Sequence, residues 1–204
     1  YVVNTPADSL DIISATTREI VSRVNVGSDP VSVRVRPDGK EVWVANHVSD
    51  SISVIDSDPE SPTFHQVIVT IQDFNGTLST RFDEPVGMAF ASDHKAYVAL
   101  SPSNQIAIIN ADDYSVVGHL PIRAQDPRAI IVRGNRLYVI PFESNNQSQL
   151  SGCMEDQFDA EICTFDAFEH VILNENPALV LSLNYAADIV KNPALPDRDL
   201  FIYD

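Results

Sequence analysis

Three acids in this chain stand immediately before a proline that opens an inner strand: Asp29-Pro30, Glu84-Pro85 and Asp126-Pro127. Carboxylates repeated in one setting can converge on a cation or a cationic ligand, and an oxygen-rich site of that kind suits a hard ion such as calcium. The same pairs also have a purely local use, because the residue before proline is held extended and Asp suits a turn. His47, just after the segment WVAN, is the histidine best placed to act beside them as acid, base or ligand. The five histidines (His47, His65, His94, His119, His170) form no HExxH and no pair at ligand spacing. No GxSxG, P-loop or dinucleotide fingerprint occurs either. Catalysis therefore has thin support, and Asp29, Glu84, Asp126 and His47 are read first as binding residues.

A second cluster lies in CMEDQFDAEIC, from Cys153 to Cys163. Asp156, Asp159 and Glu161 are candidate metal ligands there, with calcium the ion they would suit, although the glycine and alternating spacing of an EF-hand are missing. Solvated charge is the other reading of these acids. The two cysteines have no C-x-x-C or Cys/His companion, which leaves out zinc and c-type haem signatures. A Cys153–Cys163 disulfide closing a short loop is expected, and it implies an oxidising compartment; two separate thiols in a reducing one are the alternative. Asn75-Gly76-Thr77 and Asn146-Gln147-Ser148 match the glycosylation sequon.

What must hold these residues in place is a repeat. An aromatic or apolar tetrad recurs as YVVN (1–4), WVAN (43–46), YVAL (97–100), YVIP (138–141) and FIYD (201–204). The spacing gives a basal unit of about 40 residues, with two copies expanded. In the second copy PVSVRVR (30–36) alternates Val31, Val33 and Val35 with polar residues, PDG (37–39) turns the chain, and EVWVAN (41–46) returns. SISVID (51–56) and FHQVIVTI (64–71) complete four short strands. The third copy parses alike, and the first lacks its opening strand. The fourth takes FEHVIL and ALVLSLN as its last two strands, and residues 186–204 begin another unit.

Four-stranded antiparallel units of this length are the blades of a β-propeller, because a lone blade cannot bury both apolar faces and must stack on neighbours. The expected fold is all-β: a single partial propeller domain over 1–204, with blade passages at 1–26, 30–72, 84–123 and 127–183 and the start of a fifth at 186–204. About four blades are present, as part of a larger disc.

The phrase VGSDPVSVRVRPDGKEVWVANHVSDSISVID (26–56) closely resembles the YVTN-type β-propeller repeat, named for the tetrad seen here as YVVN and WVAN. Later copies drift, the PDG turn becoming SDH (92–94), GN (134–135) and PDR (196–198). The resemblance implies a full disc of about seven blades in an extracytoplasmic bacterial or archaeal protein: periplasmic, secreted or on the cell surface. Some proteins of this type look like surface-layer or binding proteins, others like sugar-lactone hydrolases or redox-associated propellers.

Composition narrows the partners. Twenty-nine acids against thirteen bases give a formal charge of −16 over 204 residues, which argues against nucleic acid and against anionic lipid. No apolar run reaches the ~18–20 residues needed to span a bilayer as a helix. Two connections are much longer than their counterparts: 72–84, between a fourth strand and the next first strand, and 142–166, between second and third strands. In a propeller both fall on one face. The expectation is a binding scaffold whose protein or carbohydrate ligand meets that face; a lactonase-like enzyme, or the propeller part of a haem or quinone protein, is the alternative.

Overall fold

The computed structural model describes residues 1–77, 79–143, 152–153, 165–166 and 198–204. The chain divides into two compact units, Tyr1–Phe142 with Leu200–Asp204, and Glu143–Asp199. The first unit is a series of antiparallel sheets. Sheet I holds β1 (Val2–Asn4), β2 (Ser9–Ile13) and β3 (Ile20–Asn25), with a short 3-10 turn at Thr5–Ala7. Sheet II holds β4 (Pro30–Val35), β5 (Glu41–Asn46), β6 (Ser51–Asp56) and β7 (Val67–Ile71) in sequence order. Sheet III repeats that order with β8 (Pro85–Ser92), β9 (Lys95–Leu100), β10 (Gln105–Asn110) and β11 (Ser115–Pro121). Sheet IV joins β12 (Gln125–Arg133), β13 (Arg136–Glu143) and β16 (Phe201–Tyr203). In the second unit β14 (Gly152–Cys153) pairs in parallel with β15 (Phe165–Asp166).

Each sheet buries its apolar residues against the next. Leu10, Ile12 and Val24 of sheet I meet Val42, Val44 and Ile55 of sheet II. Trp43, Val54 and Ile71 of sheet II meet Met88, Val98 and Ile109 of sheet III. Ala99 and Ile106 of sheet III meet Ile130, Leu137 and Val139 of sheet IV. Second and third strands are sandwiched on both faces, so all six residues of β5 and all six of β6 are buried. Period-two alternation survives on less enclosed strands such as β3 and β11.

One expectation is corrected. FIYD matches the tetrad of a second strand, yet Phe201–Tyr203 pairs antiparallel with Val139–Leu137 and takes the third place in sheet IV. The third strand of sheet II ends on the phrase SVID, so an apolar run closed by Asp fits a third strand equally well. The connection between second and third strands of sheet IV therefore runs from 144 to 200, and exceeds the 142–166 read from the sequence. The strands expected at FEHVIL and ALVLSLN lie outside the described residues.

Candidate functional site

The acids before proline are the joints between sheets. Asp29, Glu84 and Asp126 adopt positive φ of 57°, 44° and 57°. They are thus left-handed rather than extended, a conformation that costs an L-residue about 1–2 kcal/mol and that Asp tolerates best. In each case the backbone N–H is held by a side chain from the preceding sheet. Asp29 donates to Asp8 Oδ1 at 2.9 Å, Glu84 to Asp50 Oδ1 at 2.9 Å, and Asp126 to Asn104 Oδ1 at 2.8 Å. Asp8, Asp50 and Asn104 are left-handed themselves, at φ 47°, 48° and 53°. The carbonyl of Asp29 accepts from the His47 N–H at 2.9 Å, and that of Glu84 from the Ser101 N–H at 3.3 Å. One device, repeated three times, locks each inner strand to the sheet before it. Its signal was present in the sequence: Asp8, Asp50 and Asn104 each stand four residues past the end of a tetrad.

Two of the four candidate binding residues are brought together across a joint. His47 Nε2 lies 3.3 Å from Glu84 Oε2, with the imidazole largely covered and the carboxylate half exposed. His47 Nδ1 is buried without a hydrogen-bond partner. Asp126 turns to its own strand instead, pairing with Arg128 at 2.8 Å.

The connection 72–84 stands beside this pair, and it is anchored at its base. Phe82 is 0% exposed within the core shared by sheets II and III. Asp73 is 2.9 Å from Arg81 Nη2, and its other oxygen is 3.7 Å from Nε2 of His119 on β11. At the tip, Asn75 Oδ1 accepts from the N–H of Thr77 at 2.8 Å and of Ser79 at 3.1 Å. Phe74 pairs with Thr80 as an isolated bridge and keeps 47% of its surface exposed. The result is a small hairpin with a buried root and an exposed tip, on the same end of the sheets as His47 and Glu84.

The remaining expectations divide. Among the described residues no three His, Cys, Asp or Glu side chains are grouped to hold a metal, so Asp29, Glu84 and Asp126 do not meet at one point. Asp156, Asp159, Glu161, Cys163 and His170 lie outside the described residues, and so do the side chain of Cys153 and the question of its pairing. His65 stacks on Phe64 with centroids 3.6 Å apart, and burial lowers its pKa against the pull of Asp56. His94, 2.8 Å from Asp112, has its pKa raised by that hydrogen bond.

At the other end of the sheets, Trp43 is buried beside a polar joint that sequence reasoning missed. Trp43 Nε1 donates to Glu41 Oε2 at 2.8 Å, and Glu41 Oε1 accepts from Arg36 Nη1 at 2.7 Å and from the Tyr114 hydroxyl at 2.9 Å. Burial, then the Glu41 carboxylate, pushes the Tyr114 phenol up to about 12.

Solved structures resemble this arrangement. A hydrazine synthase of Kuenenia stuttgartiensis matches 68% of the chain at 27% identity and a TM-score of 0.58. The Cps50 (Swd1) β-propeller domain of Myceliophteria thermophila matches 67% at 19% identity and 0.55, and the RRP9 WD40 repeats match 66% at 16% and 0.53. The sheets are blades of a β-propeller. The chain spans 37%, 45% and 39% of those three solved chains, so what it shares with them is part of a propeller. No family model matches the chain, and no curated protein matches it. The joints that carry Asp29, Glu84 and Asp126 therefore link successive blades. Among the described residues no helix is long and apolar enough to cross a membrane.

Proposed function

We propose that this β-propeller, of YVTN type, acts as an extracytoplasmic binding scaffold, and that its protein or carbohydrate ligand meets the blade end carrying His47, Glu84 and the hairpin 72–84. One observation carries the reading: the hairpin is long yet rooted, with Phe82 buried and Asp73 tied to Arg81. A connection that had merely drifted has no reason to keep such an anchor, whereas long built loops on a rigid scaffold commonly carry function. Its exposed tip, with the half-exposed Glu84 carboxylate, offers polar contacts, and Phe74 offers an apolar one. The acidic surface and the expected disulfide support a compartment outside the cytoplasm.

The test replaces the tip while keeping its root. Full-length protein with Asn75→Gly, Thr77→Gly and His47→Ala is compared with the parent for binding to arrayed glycans and to the extracellular proteins of its source. The expected result is at least a tenfold loss of binding, with the melting temperature within a few degrees of the parent. Unchanged binding would rule out this face.

A second reading, the propeller part of an enzyme, is favoured by the 27% identity to the hydrazine synthase. Elemental and cofactor analysis of the full-length protein separates the two: a stoichiometric iron or other redox centre supports the enzyme.

A further inference from the structure

The tip of the hairpin between blades II and III holds the parts of a chemical reaction as well as of a turn. Asn75 is the one asparagine of the chain that glycine follows. The stem is set by the Asn75 N–H, which donates to the Ser79 carbonyl at 2.9 Å, and by the Arg81 N–H, which donates to the Asp73 carbonyl at 2.8 Å. On this stem the side-chain oxygen Oδ1 of Asn75 gathers three donors. They are the Thr77 N–H at 2.8 Å, the Thr77 hydroxyl at 2.6 Å and the Ser79 N–H at 3.1 Å. Other asparagines of the blades differ: Asn104 Oδ1 accepts a single N–H, from Asp126, and Asn46 commits its amide nitrogen to Ser51 and Ser53.

Three donors on one carbonyl oxygen draw charge away from Cγ. They also stand where an oxyanion would form if a nucleophile added to that carbon. The adjacent nucleophile in the chain is the Gly76 nitrogen, and the ring closed by the Thr77 N–H on Oδ1 folds the Asn75 side chain back over that peptide. Among the described residues neither the Gly76 N–H nor Asn75 Nδ2 has a hydrogen-bond partner. A side-chain carbon at position 76 would meet nothing within 4 Å, so the tip is open to water. Glycine itself leaves the approach of its nitrogen unhindered.

We propose that Asn75 is a self-modification site, at which the folded hairpin converts the amide to a carboxylate. The Gly76 nitrogen attacks Asn75 Cγ, its proton is relayed by solvent to Nδ2, and the Cγ–Nδ2 bond breaks to release ammonia. Water then opens the cyclic imide at one of its two carbonyl carbons. Opening between the Gly76 nitrogen and Cγ gives an aspartate with ordinary backbone; opening at the backbone carbonyl carbon gives isoaspartate, with one extra carbon in the main chain. Either product adds a negative charge to the tip. The site does not depend on the binding reading of this face. The test follows the full chain at neutral pH, folded and in guanidinium chloride, by peptide mass spectrometry for the amide-to-acid mass gain and by fragmentation for isoaspartate. Conversion should be about threefold or more faster in the folded chain, because the fold holds donors and nucleophile in place. Thr77→Val keeps the N–H and removes the hydroxyl; it should slow the folded chain about fivefold, the worth of one exposed hydrogen bond, and leave the unfolded rate alone. Thr77 is exposed, so that variant folds as the parent does. A folded chain that converts no faster than the unfolded one, or a folded rate indifferent to Thr77→Val, would overturn the proposal. So would a glycan on Asn75 Nδ2 in protein from its source, because that nitrogen would then anchor a sugar and not leave as ammonia.

Discussion

Gly87→Ala is a sharp test of how the inner strands meet. Gly87 is the third residue of β8, and its neighbours in the facing strand are backbone atoms. A methyl carbon there would fall inside the van der Waals envelope of the Arg128 carbonyl oxygen, 3.2 Å from its carbon and 3.3 Å from the Ile130 nitrogen. Ordinary carbon–oxygen approaches are about 3.3 Å, so the oxygen contact falls short by roughly 1 Å. Two backbones cannot absorb this by turning a side chain; blades III and IV must separate. Overpacking of this kind costs about 1–3 kcal/mol, occasionally more. For a chain of this size each kcal/mol lowers the melting temperature by about 2–4 °C, so the expected fall is roughly 2–12 °C. Gly118→Ala is the control, because its methyl would meet only Ile108 Cδ1 at 3.9 Å, an ordinary contact. Melting followed by far-ultraviolet circular dichroism should separate the two variants clearly. If Gly87→Ala melted within a degree of both the parent and Gly118→Ala, the inner strands would not abut as described.

Two further outcomes follow from the joints. Asp50→Ala leaves the Glu84 N–H without its acceptor and should cost about 1–3 kcal/mol by chemical denaturation. Asp50→Asn should restore nearly all of it, since Asn104 does the same work for Asp126. The Tyr114 phenol, held up to about 12 against an unfolded value near 10, gives a pH dependence. Its folded pKa is the higher, so its contribution is complete below about pH 10 and is lost as pH rises towards 12. The denaturation midpoint of the parent should therefore fall over that window more steeply than that of Tyr114→Phe, and parallel curves would refute the buried Glu41 hydrogen bond.

The architecture was legible because the repeat wrote it several times. YVVN, WVAN and YVAL mark second strands, and proline opens the inner strands β4 and β8, as expected. What misled was the same pattern used once too often: Phe201–Tyr203 has the apolar tetrad but sits third in its sheet. Local sequence cannot separate second from third strands when both are buried on two faces and lose their alternation. The candidate site was half legible. His47 and Glu84 were singled out separately, but their meeting depends on the close packing of successive blades, which no spacing within one unit reveals. Asp8, Asp50 and Asn104 went unremarked because one acid or amide in a loop is common; only the comparison across units, with the left-handed backbone on both sides of each joint, shows their work. Small residues facing the next inner strand carried a signal of the same kind. Ser32, in the place of Gly87, donates its hydroxyl to the Val86 carbonyl.

The most direct test of the binding face is photo-cross-linking from defined positions on the full-length protein in its own source. A benzophenone side chain at Thr77 reports the hairpin tip, and one at Lys40 reports the turn at the opposite end of the blade. The account expects a discrete adduct from Thr77 that fades when Glu84→Gln is added, and none from Lys40. An adduct from Lys40 alone, or one from Thr77 indifferent to Glu84, would contradict it.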